Sequence, residues 1–154
     1  MLLNKLVTYK GIIHERSEDA PFMGALIIAP TCSNNCRDCF NQHLKDAKAY
    51  TAYASDIIEK VKSNPFNDGI ILAGLEWSEH PDDLIALVYY AQLANLQVIV
   101  YTGLTEDKFY ARVPRMCLRS CYIKFGEYDS SLAAFDYYSC GVRLASTNQY
   151  ILRV

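Results

Sequence analysis

The sequence lacks a long apolar run, a strong excess of charge and a leader-like beginning. No window reaches the ~18 apolar residues of a membrane-spanning helix. Met1–Leu3 is followed at once by Asn4 and Lys5 instead of the apolar core of a signal peptide. The net charge is −2 and the pI about 5.9, so binding by neutralisation of nucleic-acid phosphates is not expected. These absences predict a cytoplasmic protein that binds neither membrane nor nucleic acid.

Length and composition indicate one folded domain. The chain has 154 residues, of which 51% are hydrophobic and 21% charged, a balance that excludes intrinsic disorder. A domain of this size can bury a core without help from disulfides or metals. A closed eight-fold β/α barrel needs ~200–250 residues, so that architecture is excluded. We therefore expect a single domain that spans residues 1–154.

Short apolar runs alternate with loops and amphipathic segments along the chain. The runs that predict strands are Leu6–Tyr9, Gly11–Ile13, Met23–Ala29, Ile70–Ala73, Gln97–Tyr101, Tyr122–Phe125 and, around a polar turn at Ser146–Gln149, Val142–Val154. The segments that predict helices are Tyr50–Ser63, the stretch that starts at Pro81, and Glu106–Arg112. Repeated strand, loop and helix units are typical of a parallel sheet with right-handed crossovers. We expect an α/β fold with a mainly parallel sheet, arranged as a partial, incomplete β/α barrel.

Three loops follow the carboxyl ends of predicted strands, where functional groups lie in parallel sheets. Residues 31–41 follow the strand Met23–Ala29, Gly74–Pro81 follows the second buried strand, and Thr102-Gly103 follows the third. Because the carboxyl ends of parallel strands meet at one edge of a sheet, these loops are expected to lie close together.

The six cysteines are unevenly placed, and three of them fall within eight residues of one loop. These three are Cys32, Cys36 and Cys39. In a reducing compartment, such cysteines hold a metal or cluster, or take part in catalysis, more often than they form disulfides. Three thiolates suit zinc or iron–sulfur iron, and they leave one coordination position open to a small molecule. The remaining cysteines, Cys117, Cys121 and Cys140, are expected to pack as small buried hydrophobes.

The residues alone are also compatible with two other kinds of site, a zinc site and a redox dithiol. Cys32, Cys36, Cys39 and His43 could close around zinc, although their spacings match no common zinc pattern. Cys36-Arg37-Asp38-Cys39 is also a CxxC sequence, which is compatible with a redox dithiol but leaves Cys32 without a role.

The spacing Cys-x3-Cys-x2-Cys after an apolar strand resembles the signature of the radical S-adenosylmethionine (SAM) superfamily. Within that superfamily the chain is similar to the activating proteins of anaerobic (class III) ribonucleotide reductases. The segments that carry this second similarity are Cys39-Phe40-Asn41, Gly74-Leu75-Glu76, Tyr101-Thr102-Gly103, Tyr122–Tyr128 and Ser146–Gln149. Three positions depart from the pattern: Asp38 stands where this branch often has glycine, and Leu75 and Trp77 replace the usual second glycine and proline.

The resemblance implies a cluster-binding loop over residues 31–41 and two cofactors, a 4Fe–4S cluster and SAM. Cys32, Cys36 and Cys39 would hold three irons, and the fourth iron would take the amino and carboxylate groups of SAM. An electron from the reduced cluster would cleave SAM to methionine and a 5′-deoxyadenosyl radical. That radical would abstract a Cα hydrogen from a glycine of a partner protein. The chain itself would contribute no catalytic side chain, because the cluster and SAM carry the chemistry.

The same resemblance implies which residues contact SAM. Glu76, or the backbone of Gly74 and Leu75, would receive the methionine ammonium, unless Glu76 is only a solvated loop residue. Phe40 and Asn41 would flank the adenine.

Four further residues near these positions have more than one expected role. Thr102 would bond the ligand or cap the helix that follows. Trp77 would shield the cluster, face the partner or pack in the core. Asn148 and Gln149 would serve the ligand, the partner or a hairpin turn.

The implied function is that of a radical SAM activase. Its partner would be a glycyl radical enzyme, the large subunit of an anaerobic ribonucleotide reductase, and its electrons would come from a low-potential donor such as flavodoxin. One alternative is a small radical SAM enzyme that acts on another protein or peptide. Another, from a different class, is a zinc-stapled binding module. A macromolecular substrate requires an open surface near the cysteine loop, whereas a small substrate would need a closed pocket.

Overall fold

The computed structural model describes residues 4–33 and 42–154. Its strands, in chain order, are β1 Leu6–Tyr9, β2 Gly11–Arg16, β3 Gly24–Ile28, β4 Tyr50–Tyr53, β5 Gly69–Ala73, β6 Gln97–Tyr101, β7 Tyr122–Phe125, β8 Tyr138–Ser139, β9 Val142–Arg143 and β10 Tyr150–Arg153. Its helices are α1 Ala54–Ser63, α2 Pro81–Leu93 and α3 Glu106–Arg112. Short 3₁₀ turns occur at Gln42–Asp46, Trp77–Glu79, Arg115–Leu118 and Ser130–Leu132.

Six of the described strands form one open sheet in the order β10-β7-β6-β5-β3-β2. The central strands β3, β5, β6 and β7 are parallel, and both edge strands pair antiparallel with their neighbours. Helix α2 connects β5 to β6, and α3 connects β6 to β7. The α/β architecture with a largely parallel sheet is therefore confirmed, and no closed barrel forms in the part of the chain that the structure describes.

The two faces of the sheet are covered differently. All three helices pack on one face, where Ile57, Leu87 and Phe109 join strand residues in a continuous buried cluster. The other face is covered by irregular segments that contribute Phe22 and Leu144. Because both faces are covered, the central strands consist of nearly continuous apolar residues. The segments that cover this other face extend to the carboxyl ends of the strands, where the candidate site lies.

The predicted helix Tyr50–Ser63 is wrong at its beginning. Residues Tyr50–Tyr53 form strand β4, which pairs antiparallel with β1, and the helix starts only at Ala54. Two tyrosines and a threonine favour a strand, and the Tyr9 and Tyr50 rings contact each other with centroids 5.9 Å apart. The pairing joins residues more than forty positions apart. A local sequence pattern does not show which distant segment a strand will pair with.

The other predicted elements are found with small shifts of their ends. Strand β2 extends the predicted Gly11–Ile13 to Arg16. The predicted C-terminal strand is divided into β9 and β10, with the polar turn Ser146–Gln149 between them. Among the described residues, no helix is both long enough and apolar enough to cross a membrane.

Candidate cofactor site

A cavity of about 440 Å³ lies at the carboxyl ends of β5, β6 and β7. The residues from different loops that meet there include Cys32, Gly74, Leu75, Glu76, Thr102 and Lys124. The structure thus brings together the five sequence-predicted site residues that it describes. The other four, Cys36, Cys39, Phe40 and Asn41, lie outside the described residues.

Cys32 lines this cavity, and the loop that follows β5 contacts the residue before it. Its side chain is half-buried and packs against the core on the helical side of the sheet. The carbonyl oxygen of Thr31 accepts a hydrogen bond of 2.9 Å from the Glu76 backbone N–H. The first predicted ligand is therefore placed by contacts with a loop more than forty residues away.

Glu79 contacts the residues on both sides of Cys32. Its carboxylate accepts hydrogen bonds from the Thr31 hydroxyl at 2.8 Å, the Ser33 N–H at 2.6 Å and the Ser33 hydroxyl at 2.5 Å. His80 Nε2 lies 2.8 Å from Thr31 Oγ1. Burial raises the pKa of Glu79, but the hydrogen bonds from Ser33 and Thr31 and the charge of His80 outweigh it, so that the pKa is lowered overall. The surroundings of Glu79 therefore favour its ionised form.

Glu76 is a buried residue, so the prediction of a solvated loop position is wrong. Its side chain is 3% exposed, and its carboxylate accepts hydrogen bonds from Ser78 N at 3.2 Å, Thr102 Oγ1 at 3.0 Å and Gly103 N at 2.8 Å. The loop after β5 is thereby tied to the loop after β6. Burying a carboxylate is costly unless such donors compensate it.

Thr102 does not cap the following helix, as one interpretation of the sequence held. The residue that precedes α3 is Thr105, and its side chain makes no capping hydrogen bond. Thr102 Oγ1 instead donates to Glu76 and accepts from the Leu104 N–H at 3.1 Å. The hydroxyl is thus engaged in shaping the loop at the cavity wall.

The departures from the family pattern at Leu75 and Trp77 are accommodated by packing. Trp77 is fully buried, and its Nε1–H donates to the Ile27 carbonyl at 3.0 Å, so it packs in the core and does not face a partner. Leu75 is buried in the same cluster and also lines the cavity. Gly74 has φ +90°, and a Cβ there would lie 2.7 Å from Ile28 Cγ2. Only glycine fits this position without strain.

Lys124 is a functional candidate that the sequence analysis missed. Its side chain lines the cavity and is 8% exposed. The ammonium donates to the Gly126 carbonyl at 2.9 Å and lies 5.3 Å from the centroid of the Tyr101 ring. A lysine inside the otherwise apolar run Tyr122–Phe125 was the available signal, because burying a charge is costly unless it is paired and hydrogen-bonded. The cavity lining thus combines Lys124 with Arg16 and Arg143 and with the carboxylates of Asp19, Glu76 and Glu127.

Asn148 and Gln149 support a turn, which agrees with one of their three predicted roles. Gln149 Oε1 accepts from the N–H groups of Ala145 and Ser146, both at 3.2 Å. Asn148 Nδ2 donates to the Glu127 carbonyl at 2.7 Å. Gln149 also lines the cavity, so the turn contributes to its wall.

The cysteines predicted to pack differ in their burial. Cys121 is buried, and burial raises the pKa of its thiol to about 12, which disfavours the thiolate needed for metal binding. Cys117 is half-buried, whereas Cys140 is exposed, so the packing prediction is wrong for Cys140. His43, the histidine of the zinc hypothesis, is exposed on the 3₁₀ turn Gln42–Asp46.

The cavity opens into a wider groove of about 760 Å³. The two share Asp19, Tyr128, Arg143, Leu144 and Ala145 as lining residues. The groove also includes Phe135, whose side chain is 90% exposed. The groove therefore extends the cavity along residues 17–19, 133–135 and 143–145.

The described part of the predicted donor set suits an iron–sulfur centre. Cysteine side chains are the usual ligands of iron–sulfur iron, and the Cys32 side chain lines the cavity. Among the described residues that line the cavity, no histidine or second cysteine is present. On the described side of the site, the cavity thus leaves a ligand-sized space beside Cys32.

One comparison with known families gives a match. A family model described as a 4Fe-4S single cluster domain matches residues 23–134. The matched region covers more than half of the chain and runs from β3 past β7, so it includes loop 31–41 and the loops that carry Glu76 and Thr102. No curated protein matches the chain.

Proposed function

We propose that this chain, which belongs to the 4Fe-4S single cluster domain family, is a radical SAM activase. Family membership supports iron–sulfur binding and favours iron over the zinc alternative. In this proposal Cys32, Cys36 and Cys39 hold the cluster, and the activity is cleavage of SAM that leaves a glycyl radical on an anaerobic ribonucleotide reductase. The cysteine spacing supports the SAM part of the proposal, together with the cavity beside Cys32.

The cavity beside Cys32 is the observation that carries the proposal. Its volume of about 440 Å³ falls within the range of small-molecule sites, ~300–1,000 Å³. The four described residues expected to contact SAM, Gly74, Leu75, Glu76 and Thr102, all line it. A ligand in this space would therefore touch both the predicted cluster ligand and the predicted SAM residues.

The hydrogen bonds of Glu76 favour one of the two predicted acceptors for the methionine ammonium. Three protein donors already surround the Glu76 carboxylate. The backbone carbonyls of Gly74 and Leu75 remain as the alternative acceptors, and the absence of a side chain at Gly74 permits close approach. We assign the ammonium to this backbone, with Glu76 holding the loop in shape.

Lys124 supplies a positive charge that can bind the carboxylate of a ligand. The ammonium is nearly buried and lies at the cavity wall beside the end of β7. Hydrogen bonds to charged groups contribute about 1.5–3 kcal/mol, more than neutral ones. We assign the carboxylate of the methionine moiety to Lys124.

We expect the variant Lys124→Met to raise the KM for SAM about tenfold, with a smaller change in kcat. The expected loss corresponds to one charged hydrogen bond, and each 1.4 kcal/mol is about a factor of ten. SAM cleavage at varied SAM concentration measures it. Lys62→Met, on the exposed side of α1, is the matched control and should leave KM unchanged. An unchanged KM in Lys124→Met would contradict the assignment.

Cys32, Cys36 and Cys39 would hold the cluster, which would supply the electron that cleaves SAM, so that a hydrogen atom could be taken from the partner's glycine. A low-potential donor such as flavodoxin would restore the electron. The groove that adjoins the cavity offers room for a segment of a polypeptide, and exposed Phe135 gives it an apolar contact. This open approach supports a protein substrate.

Reconstituted protein should release 5′-deoxyadenosine when it is incubated anaerobically with dithionite and SAM. A chain that holds iron and sulfide but releases none would contradict the proposal. Adding the candidate reductase should then produce a glycyl EPR doublet on that protein. A doublet that forms only on another protein or peptide would favour the alternative radical SAM substrate, and tightly bound zinc without acid-labile sulfide would favour the binding module.

A further inference from the structure

We propose that Glu79 is a positioning residue that holds Cys32 ready for cluster binding. The inference rests on the proposed role of Cys32 as a ligand. It adds a residue that lies outside the three-cysteine motif and outside the predicted SAM contacts. Glu79 acts on Cys32 through the two neighbouring residues and does not itself line the cavity.

The geometry around Cys32 shows how this works. The carboxylate of Glu79 accepts one hydrogen bond from Thr31 and two from Ser33. The residues immediately before and after Cys32 are thereby bound to one side chain. The Thr31 carbonyl is fixed as well, by the Glu76 N–H. The backbone at Cys32 is restrained from both directions.

The turn that carries Glu79 is itself anchored in the core. It spans Trp77–Glu79, and the buried Trp77 indole donates to the Ile27 carbonyl of β3. Ser78 Oγ accepts from Arg112 Nη1 at 3.0 Å, which ties the turn to α3. Helix α2 begins immediately afterwards, at Pro81. Glu79 therefore links the start of the cysteine loop to rigid elements, as accurate ligand placement requires.

A carboxylate suits this position because every neighbouring group donates. Its two oxygens accept from two hydroxyls and one backbone N–H. A glutamine has nearly the same shape but replaces one oxygen with an amide that donates. The substitution would lose the hydrogen bonds that one carboxylate oxygen accepts. It would also place the donating amide NH₂ group next to another hydrogen-bond donor.

We expect Glu79→Gln to speed the release of iron from the reconstituted full chain to a chelator by about tenfold. Changes in residues that orient metal ligands typically cost about 10–100-fold in metal affinity. A second measurement is site-specific alkylation of the reconstituted protein, read by mass spectrometry. Cys32 should become labelled faster, whereas the exposed Cys140 should label at an unchanged rate.

Glu59→Gln is the matched control, because Glu59 is exposed on α1 and the same charge is removed. It should release iron as the unsubstituted chain does. If Glu79→Gln lowers the thermal unfolding midpoint, Thr31→Val provides a milder variant that removes one hydroxyl from the same network. It should release iron about threefold faster, the effect of one ordinary hydrogen bond.

The possible failures are distinguishable. Equal iron release from Glu79→Gln, Thr31→Val and the unsubstituted chain would overturn the role of Glu79 and leave the proposed function standing. Faster release accompanied by equally faster labelling of Cys140 would indicate general loosening and would also overturn it. An unsubstituted chain that takes up no iron would overturn both this inference and the proposed function.

Discussion

Replacing Cys32 with alanine is expected to remove the bound cluster and all SAM cleavage. The predicted centre has three cysteine ligands, so the variant leaves two. Changes outside the ligand set already cost about 10–100-fold in metal affinity, and the loss of a direct ligand should exceed that range. Among the described residues, Cys32 is the predicted ligand, and it lines the cavity that carries the proposed function. Iron and acid-labile sulfide per chain, together with 5′-deoxyadenosine release, measure the result.

Cys140→Ala is the control, because this cysteine is exposed and belongs to the β8–β9 hairpin region instead of the cavity. It should keep both iron and activity. Cys36→Ala should behave like Cys32→Ala, since the same motif predicts both ligands. Full iron content in Cys32→Ala would show that this thiol is not a ligand.

We expect Glu76→Gln to lower the free energy of unfolding by about 3 kcal/mol. The buried carboxylate accepts from Ser78, Thr102 and Gly103, and hydrogen bonds to charged groups contribute about 1.5–3 kcal/mol each. The amide would retain one acceptor oxygen and turn a donor toward the remaining N–H or O–H groups. Urea unfolding followed by circular dichroism, without SAM, measures the change.

The absence of SAM makes this measurement informative about the role of Glu76. If the carboxylate chiefly received the methionine ammonium, Glu76→Gln would weaken SAM binding and leave the stability of the SAM-free chain unchanged. If it chiefly joins the loops after β5 and β6, stability falls before any ligand is added. Glu59→Gln, an exposed change of the same kind, should stay within about 0.5 kcal/mol of the unsubstituted chain. A similarly small change for Glu76→Gln would contradict its structural role.

Most of the fold could be predicted from the sequence, because the central strands are short apolar runs separated by loops and helices. Strands β3, β5, β6 and β7 lie where those runs predict them. The pairing of strand β4 with Leu6–Tyr9 could not be predicted, although the tyrosines and threonine of Tyr50–Tyr53 favour a strand. Local residue preferences carry no information about which distant strand will be the partner.

Several residues that meet at the candidate site were predictable, but the contacts that support them were not. The cysteine spacing and the loops that follow the strands indicate Cys32, Glu76 and Thr102 as neighbours, and all three line the cavity. The role of Glu79 was not predictable, because it lies 46 residues from Ser33 in the chain. No sequence motif links the two positions.

The sequence by itself determined the α/β class, the order of the central strands along the chain and membership of a 4Fe-4S cluster family. These properties depend on residue type and spacing, which are local. Only the tertiary structure decided that Glu76 is buried between two loops, that Trp77 packs in the core and that Lys124 lies at the cavity wall. Burial and hydrogen-bond partners depend on which distant segments meet, and that is settled when the sheet assembles and its faces are covered.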